Sequence, residues 1–180
     1  MRYLTKAWYL ASQKYPLNDG EQKRLEEISS ACRAAEACEV LPGGLREKFC
    51  FHDAAVRGEY HGADYVLSLD ASLSPVRSVV FRDARIKGET PPDGAVWLYE
   101  ELYRHKSGRG YEAHILFEAM QGEVHKRLRE ADLFDLKIIC SDIVFCGAGD
   151  EFECAFGAKI EYVSRPRDAT FFPPVGKEGK

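Results

Sequence analysis

Hydrophobic positions in this chain follow one rhythm up to about residue 48 and another beyond it. In the first stretch Leu25, Ile28, Cys32 and Ala35 step by three, four and three, which lines one side of a helix. The spacing predicts a helix over 20–39, capped by Asn18 or Asp19, with Arg24, Glu26, Glu27, Arg33 and Glu36 on the rest of its surface. A shorter helix over 5–15 precedes it, carrying Trp8, Tyr9 and Leu10. It should stop at Tyr15-Pro16, because proline disfavours helical geometry in the residue before it. Leu41-Pro42-Gly43-Gly44 then closes a helical N-terminal segment, residues 1–48.

From Phe49 onward apolar and polar residues alternate, the period of a half-buried strand. Strands are expected at 49–56, 64–71, 76–88, 95–105, 111–120 and 133–146. The polar stretch 57–64 turns the first back, Pro91-Pro92-Asp93-Gly94 makes a turn, and 106–110 is a five-residue hairpin loop. Residues 122–132 suit a short helix, 152–163 a last strand, and 165–180 a loose tail. The stretch 133–146 is the most hydrophobic and is expected at the sheet centre. Short turns with no helix between most strands argue against parallel βαβ units. The prediction is an α+β fold: the helical segment, then an antiparallel meander of five to seven strands in 49–164, barrel-like or sandwich, all one domain.

Charge narrows the partners. The chain carries a net charge of -4, and counted over 1–48, 49–120 and 121–180 no segment is a basic block, so phosphate neutralisation has no obvious seat and nucleic acid is not expected. No run of about 18 apolar residues exists, so no membrane span is expected. The opening MRYLTKAWYLASQKYP lacks the apolar core of a secretory signal, which points to the cytoplasm. Cys32, Cys38, Cys50, Cys140, Cys146 and Cys154 form no CxxC pair and read as buried, reduced thiols. Cys140 and Cys146, an even number apart on one predicted strand, should share a face roughly 20 Å apart, too far to bridge.

Candidate chemistry rests on polar residues set into predicted strands: His52, Asp53, Asp70, Glu100, Glu101, Glu112, His114 and Asp142. Glu112 and His114, two apart, point to one face, and with His52, His61 or Asp142 they could ligate a metal. There is no HxH or HExxH, and Tyr111, Ala113, Ile115 and Phe117 form a clean core face opposite. Glu112 and His114 are therefore expected on the solvent face, with no metal and no cofactor. Glu100 and Glu101 fall on opposite faces and cannot act as one catalytic pair. The one that faces inward needs a partner, for which Arg104 or Arg82 is available. No nucleophile or phosphate-loop motif is present: Gly147-Ala148-Gly149 lacks the third glycine and the following helix. Trp97, Tyr99 and Tyr103, evenly spaced, should share one aromatic face.

The opening Met1-Arg2-Tyr3-Leu4-Thr5-Lys6-Ala7-Trp8-Tyr9 resembles the start of an uncharacterised bacterial family, M-[KR]-Y-[FL]-T-K-x-W-Y, a domain of unknown function. Phe51-His52-Asp53-Ala54, Leu67-x-Leu69-Asp70, Trp97-Leu98-Tyr99-Glu100-Glu101, Tyr111-Glu112-x-His114-x-Leu116 and Asp142-Ile143 extend the likeness. The resemblance implies a cytoplasmic bacterial protein and no particular activity. The expectation is a non-enzymatic binding protein with another protein as partner; the oligomeric state stays open. The rival is a metal- or small-ligand-binding enzyme whose cleft is lined by His52, Asp53, Glu112, His114 and Asp142.

Overall fold

In the computed structural model the described residues are 1–70, 75–119 and 129–147. Three helices lead: α1 (Lys6–Ser12), α2 (Asp19–Ala37) and α3 (Leu45–Lys48). Thr5 caps α1 and Asn18 caps α2, the latter in a capping box with Glu21. Eight antiparallel strands follow: β1 (Ala55–His61), β2 (Asp64–Asp70), β3 (Val76–Arg82), β4 (Arg85–Gly88), β5 (Ala95–Arg104), β6 (Tyr111–Glu118), β7 (Leu133–Cys140) and β8 (Asp142–Gly147). A single 3₁₀ turn, Glu130–Asp132, enters β7. The α+β class and the antiparallel sheet are as the alternation implies.

The hydrogen-bonding order is β4-β7-β6-β5-β1-β2-β3-β8. Its two ends are prolongations of strands further in, since β4 follows β3 after two residues and β8 follows β7 after one. Arg82 faces Asp142 and Arg85 faces Ile139, so one pairing register runs from β3/β8 into β4/β7 past a corner. At that corner Asp83 sits at φ 49° and the Ser141 amide donates to the Arg82 carbonyl. The corner divides both 76–88 and 133–146, giving one strand more than the expected maximum. The strand order is open rather than a closed barrel, and the sheet packs on one core that includes Phe49, Val56, Leu67, Phe81, Trp97, Ile115, Phe117 and Leu136.

Several local expectations are corrected. Residues 49–54 are not strand: Phe49 and Phe51 plug the core from a turn in which Asp53 takes φ 67°, and β1 begins at Ala55. The stretch 57–61 is strand rather than turn, with only Gly62-Ala63 reversing the chain. The 133–146 segment is not central, because β7 lies second from one end of the order and β8 at the other. Nor do Cys140 and Cys146 share a face. Cys140 is in the main core, and Cys146 packs with Val66 and Val80 elsewhere, since the corner at Ser141 resets the alternation. Cys38 and Cys50 are exposed rather than buried, and Cys154 lies outside the described residues. So do most of the 122–132 helix, the 152–163 strand and the tail.

A bulge in β5 splits the expected aromatic face. The register slips between Trp97 and Tyr99, so Trp97 enters the core while Leu98 and Tyr99 pack outward against α1. Beyond the slip Leu102 returns inward, and Glu101 and Tyr103 turn outward. Segment 1–12 covers this outer face, with Met1, Trp8, Tyr9 and Leu10 against Leu98, Leu116 and Leu133. That is why β6 is buried on both faces.

Candidate functional site

Two cross-strand rows occupy the outer face of β4-β7-β6-β5. In the first Lys87 faces Lys137, Lys137 faces His114, and His114 faces Glu101. In the second Arg85 faces Ile139, Ile139 faces Glu112, and Glu112 faces Tyr103. Directly opposed side chains on neighbouring strands lie about 5 Å apart, so each row is a continuous line of contacts.

The β5-β6 end of these rows is sealed. Glu101 is fully buried, and its carboxylate accepts the backbone N–H groups of Arg2 (2.7 Å), Tyr3 (2.9 Å) and Leu4 (2.7 Å) and the Tyr103 hydroxyl (3.1 Å). Its partners are thus the backbone of the N-terminal segment, not Arg104 or Arg82. The Met1 amino group pairs with Asp135 at 2.7 Å, and the Arg2 guanidinium lies 3.7 Å over the Tyr103 ring. Glu112 and His114 do point away from the core face, as their spacing requires, yet they do not face water. They are 7% and 5% exposed, because Met1–Leu4 lies over them.

Glu112 joins the sealed end to an open one. Its Oε1 receives Lys137 Nζ (2.7 Å), His114 Nε2 (2.8 Å) and Arg2 Nη2 (3.0 Å). Burial alone would raise its pKa, but the hydrogen bonds from Lys137, His114 and Arg2 outweigh it and hold the carboxyl at about 2. Burial pushes His114 below its ordinary value, Glu112 opposes that, and the Met1 ammonium and Lys137 add to it. Held ionised by three donors, Glu112 has no proton to give at neutral pH and is a weak base. Two cations on the Glu112 oxygen also repel a metal. Among the described residues no group of three or more His, Cys, Asp or Glu is placed to hold one.

The open end is a cleft of about 720 Å³ between β4, β7 and the β5-β6 loop. Arg2, Arg85, Lys87, Lys106, Arg109 and Lys137 line it against only Asp83 and Glu112. Arg2 and Lys137 share one carboxylate, that of Glu112. Among the described residues Arg85, Lys87, Lys106 and Arg109 have no ion-pair partner, and all four side chains are exposed. Lys87 directly opposite Lys137 is an unfavourable like-charge pair for a sheet. The loop that brings Lys106 and Arg109 is folded on itself: Gly108 N–H bonds the His105 carbonyl at 2.9 Å, and His105 pairs with Ser107 at 2.8 Å. Gly110, at φ 74°, lets the loop press on β7, where a Cβ would stand 2.0 Å from the Cys140 carbonyl oxygen.

The remaining predicted residues lie apart from this cleft. His52 is about half exposed, pairs with Asp53 at 3.0 Å and stands edge-on to Tyr99 at 5.4 Å. Asp53 N–H bonds the Trp97 carbonyl. Asp142 is exposed beside the corner, opposite Arg82, and its carboxylate accepts the Ile143 amide. Glu100, raised by burial and relieved by Trp97 Nε1 at 2.7 Å and by Cys50, serves a separate hydrogen-bonded pocket. The predicted set thus meets in two separate pairs, Glu112 with His114 and His52 with Asp53, and does not converge on one cleft.

Counting charge by segment missed the cleft, because its cations come from residue 2, residues 85–87, residues 106–109 and residue 137. The available signal was alternation: Arg85 and Lys87, and separately Lys137 and Ile139, each share a face. No helix among the described residues is long and apolar enough to cross a membrane. Comparison with protein families, with curated proteins and with solved structures gives no match to this chain.

Proposed function

We propose that the protein is a binding protein for a compact phosphorylated anion, with the cleft between β4, β7 and the β5-β6 loop as its recognition site. One observation carries this reading: four cations without ion pairs converge on one cleft in a chain whose net charge is -4. The volume lies in the range of small-molecule sites, and the walls hold no exposed aromatic rows for stacking a single strand of nucleic acid. Bacterial cytoplasm is the setting that the opening motif suggests. The non-enzymatic reading is supported by the state of Glu112 and His114, a fixed carboxylate and a buried imidazole engaged with each other.

The test is titration calorimetry of the full chain with inorganic pyrophosphate and tripolyphosphate at low and physiological salt. Binding that weakens as salt rises is expected. Arg85→Glu together with Arg109→Glu should remove it while the thermal transition is retained. Equal binding by the doubly reversed chain would sink the reading. Turnover on a broad phosphatase and hydrolase panel, lost on changing Glu112 or His114, would replace it with the enzymatic rival.

A further inference from the structure

The charge of the cleft is divided unevenly, and the division describes the ligand. Arg85, Lys87, Lys106 and Arg109 hold one part without counter-ions, while Glu112 holds the other as an anion. A carboxylate offers about four lone-pair directions over two oxygens. Here Arg2, His114 and Lys137 all meet Oε1, and Oε2 has no protein donor among the described residues. Glu112 nevertheless lines the cleft and is not among the buried polar side chains left without a partner. An ionised oxygen on the wall of a basic cleft repels phosphate and accepts from a hydroxyl.

We infer that the ligand is a phosphorylated sugar, free or as part of a nucleotide, with its phosphates on Arg85, Lys87, Lys106 and Arg109 and a sugar hydroxyl donating to Glu112 Oε2. This rests on the anion-binding reading above. A carboxylate accepting from a sugar hydroxyl is a recurrent way of reading ribose next to a phosphate site. The three donors on Oε1 fix the carboxylate, so accepting the hydroxyl costs little further ordering. Arg2 and Lys137 already share Glu112, which leaves the phosphates to the other four cations.

Calorimetry of the full chain with pyrophosphate, ribose 5-phosphate, ADP and 2′,3′-dideoxy-ADP decides it. Dideoxy-ADP lacks both ribose hydroxyls, and loss of the one bonded to a charged group should make it bind about tenfold more weakly than ADP to the unaltered protein. Glu112→Gln should erase most of that difference, while pyrophosphate binds the variant at least as tightly because Arg2 and Lys137 are released. Dideoxy-ADP binding as tightly as ADP to the unaltered protein overturns the inference and leaves the anion site standing. That comparison needs no variant. Failure of all four compounds to bind overturns the anion site itself. Ribose 5-phosphate matching ADP would point to the free sugar phosphate, and ADP far ahead of it to the nucleotide.

Discussion

The two ends of one outer sheet face are joined by the same cross-strand rows but are treated in opposite ways. At the β5-β6 end Glu101, Glu112 and His114 are covered by the N-terminal segment; Glu101 accepts four donors and Glu112 three on one oxygen, while His114 Nδ1 is buried without a partner. At the β4-β7 end Arg85 and Lys87 stand exposed with no counter-ion among the described residues. A polar row buried under a chain segment pairs most of its groups, because each orphaned one costs about 1–3 kcal/mol. A polar row left open can hold charge that the fold does not neutralise. The sealed end therefore reports on stability and the open end on binding.

The most disruptive way to break the contrast is Glu101→Ala. It removes the acceptor of three backbone amides and of Tyr103 at a position with no exposure. A loss of about 3 kcal/mol in urea denaturation is expected, limited by release of the segment into water. Release should also expose Trp8 and shift its fluorescence. A variant as stable as the parent would mean that the segment is held by its apolar contacts alone.

Much of this was legible in the alternation, and the exceptions have local causes. Tyr111, Ala113, Ile115 and Phe117 do form a core face, because β6 is straight and pairs without a slip on its β7 side. Trp97, Tyr99 and Tyr103 do not share one, because a bulge inserts a residue and shifts the phase. Cys140 and Cys146 part company for the same reason at the Ser141 corner. Neither bulge nor corner is written in a period-two pattern. The cover over Glu112 and His114 is also not visible in the strands, since it comes from residues more than 100 positions earlier in the chain. The basic cleft escaped a segment-by-segment charge count for the parallel reason that its cations are distant in sequence.

Gly110→Ala sharpens the contrast from the open side. A Cβ 2.0 Å from the Cys140 carbonyl oxygen cannot stay, so the loop must lift, and the left-handed backbone is strained as well. The expected cost is about 2 kcal/mol. Pyrophosphate affinity should fall with it, because Lys106 and Arg109 move with the loop. Unchanged affinity would show that the loop cations are not used.

Acid should act on the sealed end first. The folded chain holds His114 below its ordinary value of 6.5, so the unfolded chain takes up that proton more readily. Stability is then full above about pH 6.5 and falls as pH drops toward the folded value. Glu112 has the carboxylate sign: its contribution is present above its ordinary value of 4.5 and is lost only as pH falls through about 2. Between pH 7 and 5 the fall in stability on acidification belongs to His114, faced by Glu112, Lys137, the Met1 ammonium and the Tyr103 ring, while Glu36 and Glu100, raised by burial, act with the opposite sign. His114→Gln should flatten that slope in urea titrations. A slope of the same size in the variant would assign it elsewhere.

The smallest effect tests the contrast most directly. Lys87 and Lys137 are opposed on neighbouring strands, and only Lys137 has a carboxylate. Lys87→Gln removes the repulsion and keeps the length and polarity of the side chain. If the open end holds charge at the expense of the fold, the variant should be more stable by about 0.2–0.5 kcal/mol and bind pyrophosphate several-fold more weakly. The opposed signs are the point, because a residue that only decorates the surface would change neither. A residue that supports the sheet would lower both. Stability rising as affinity falls separates a site from a surface, and chemical denaturation paired with calorimetry on one preparation reads both.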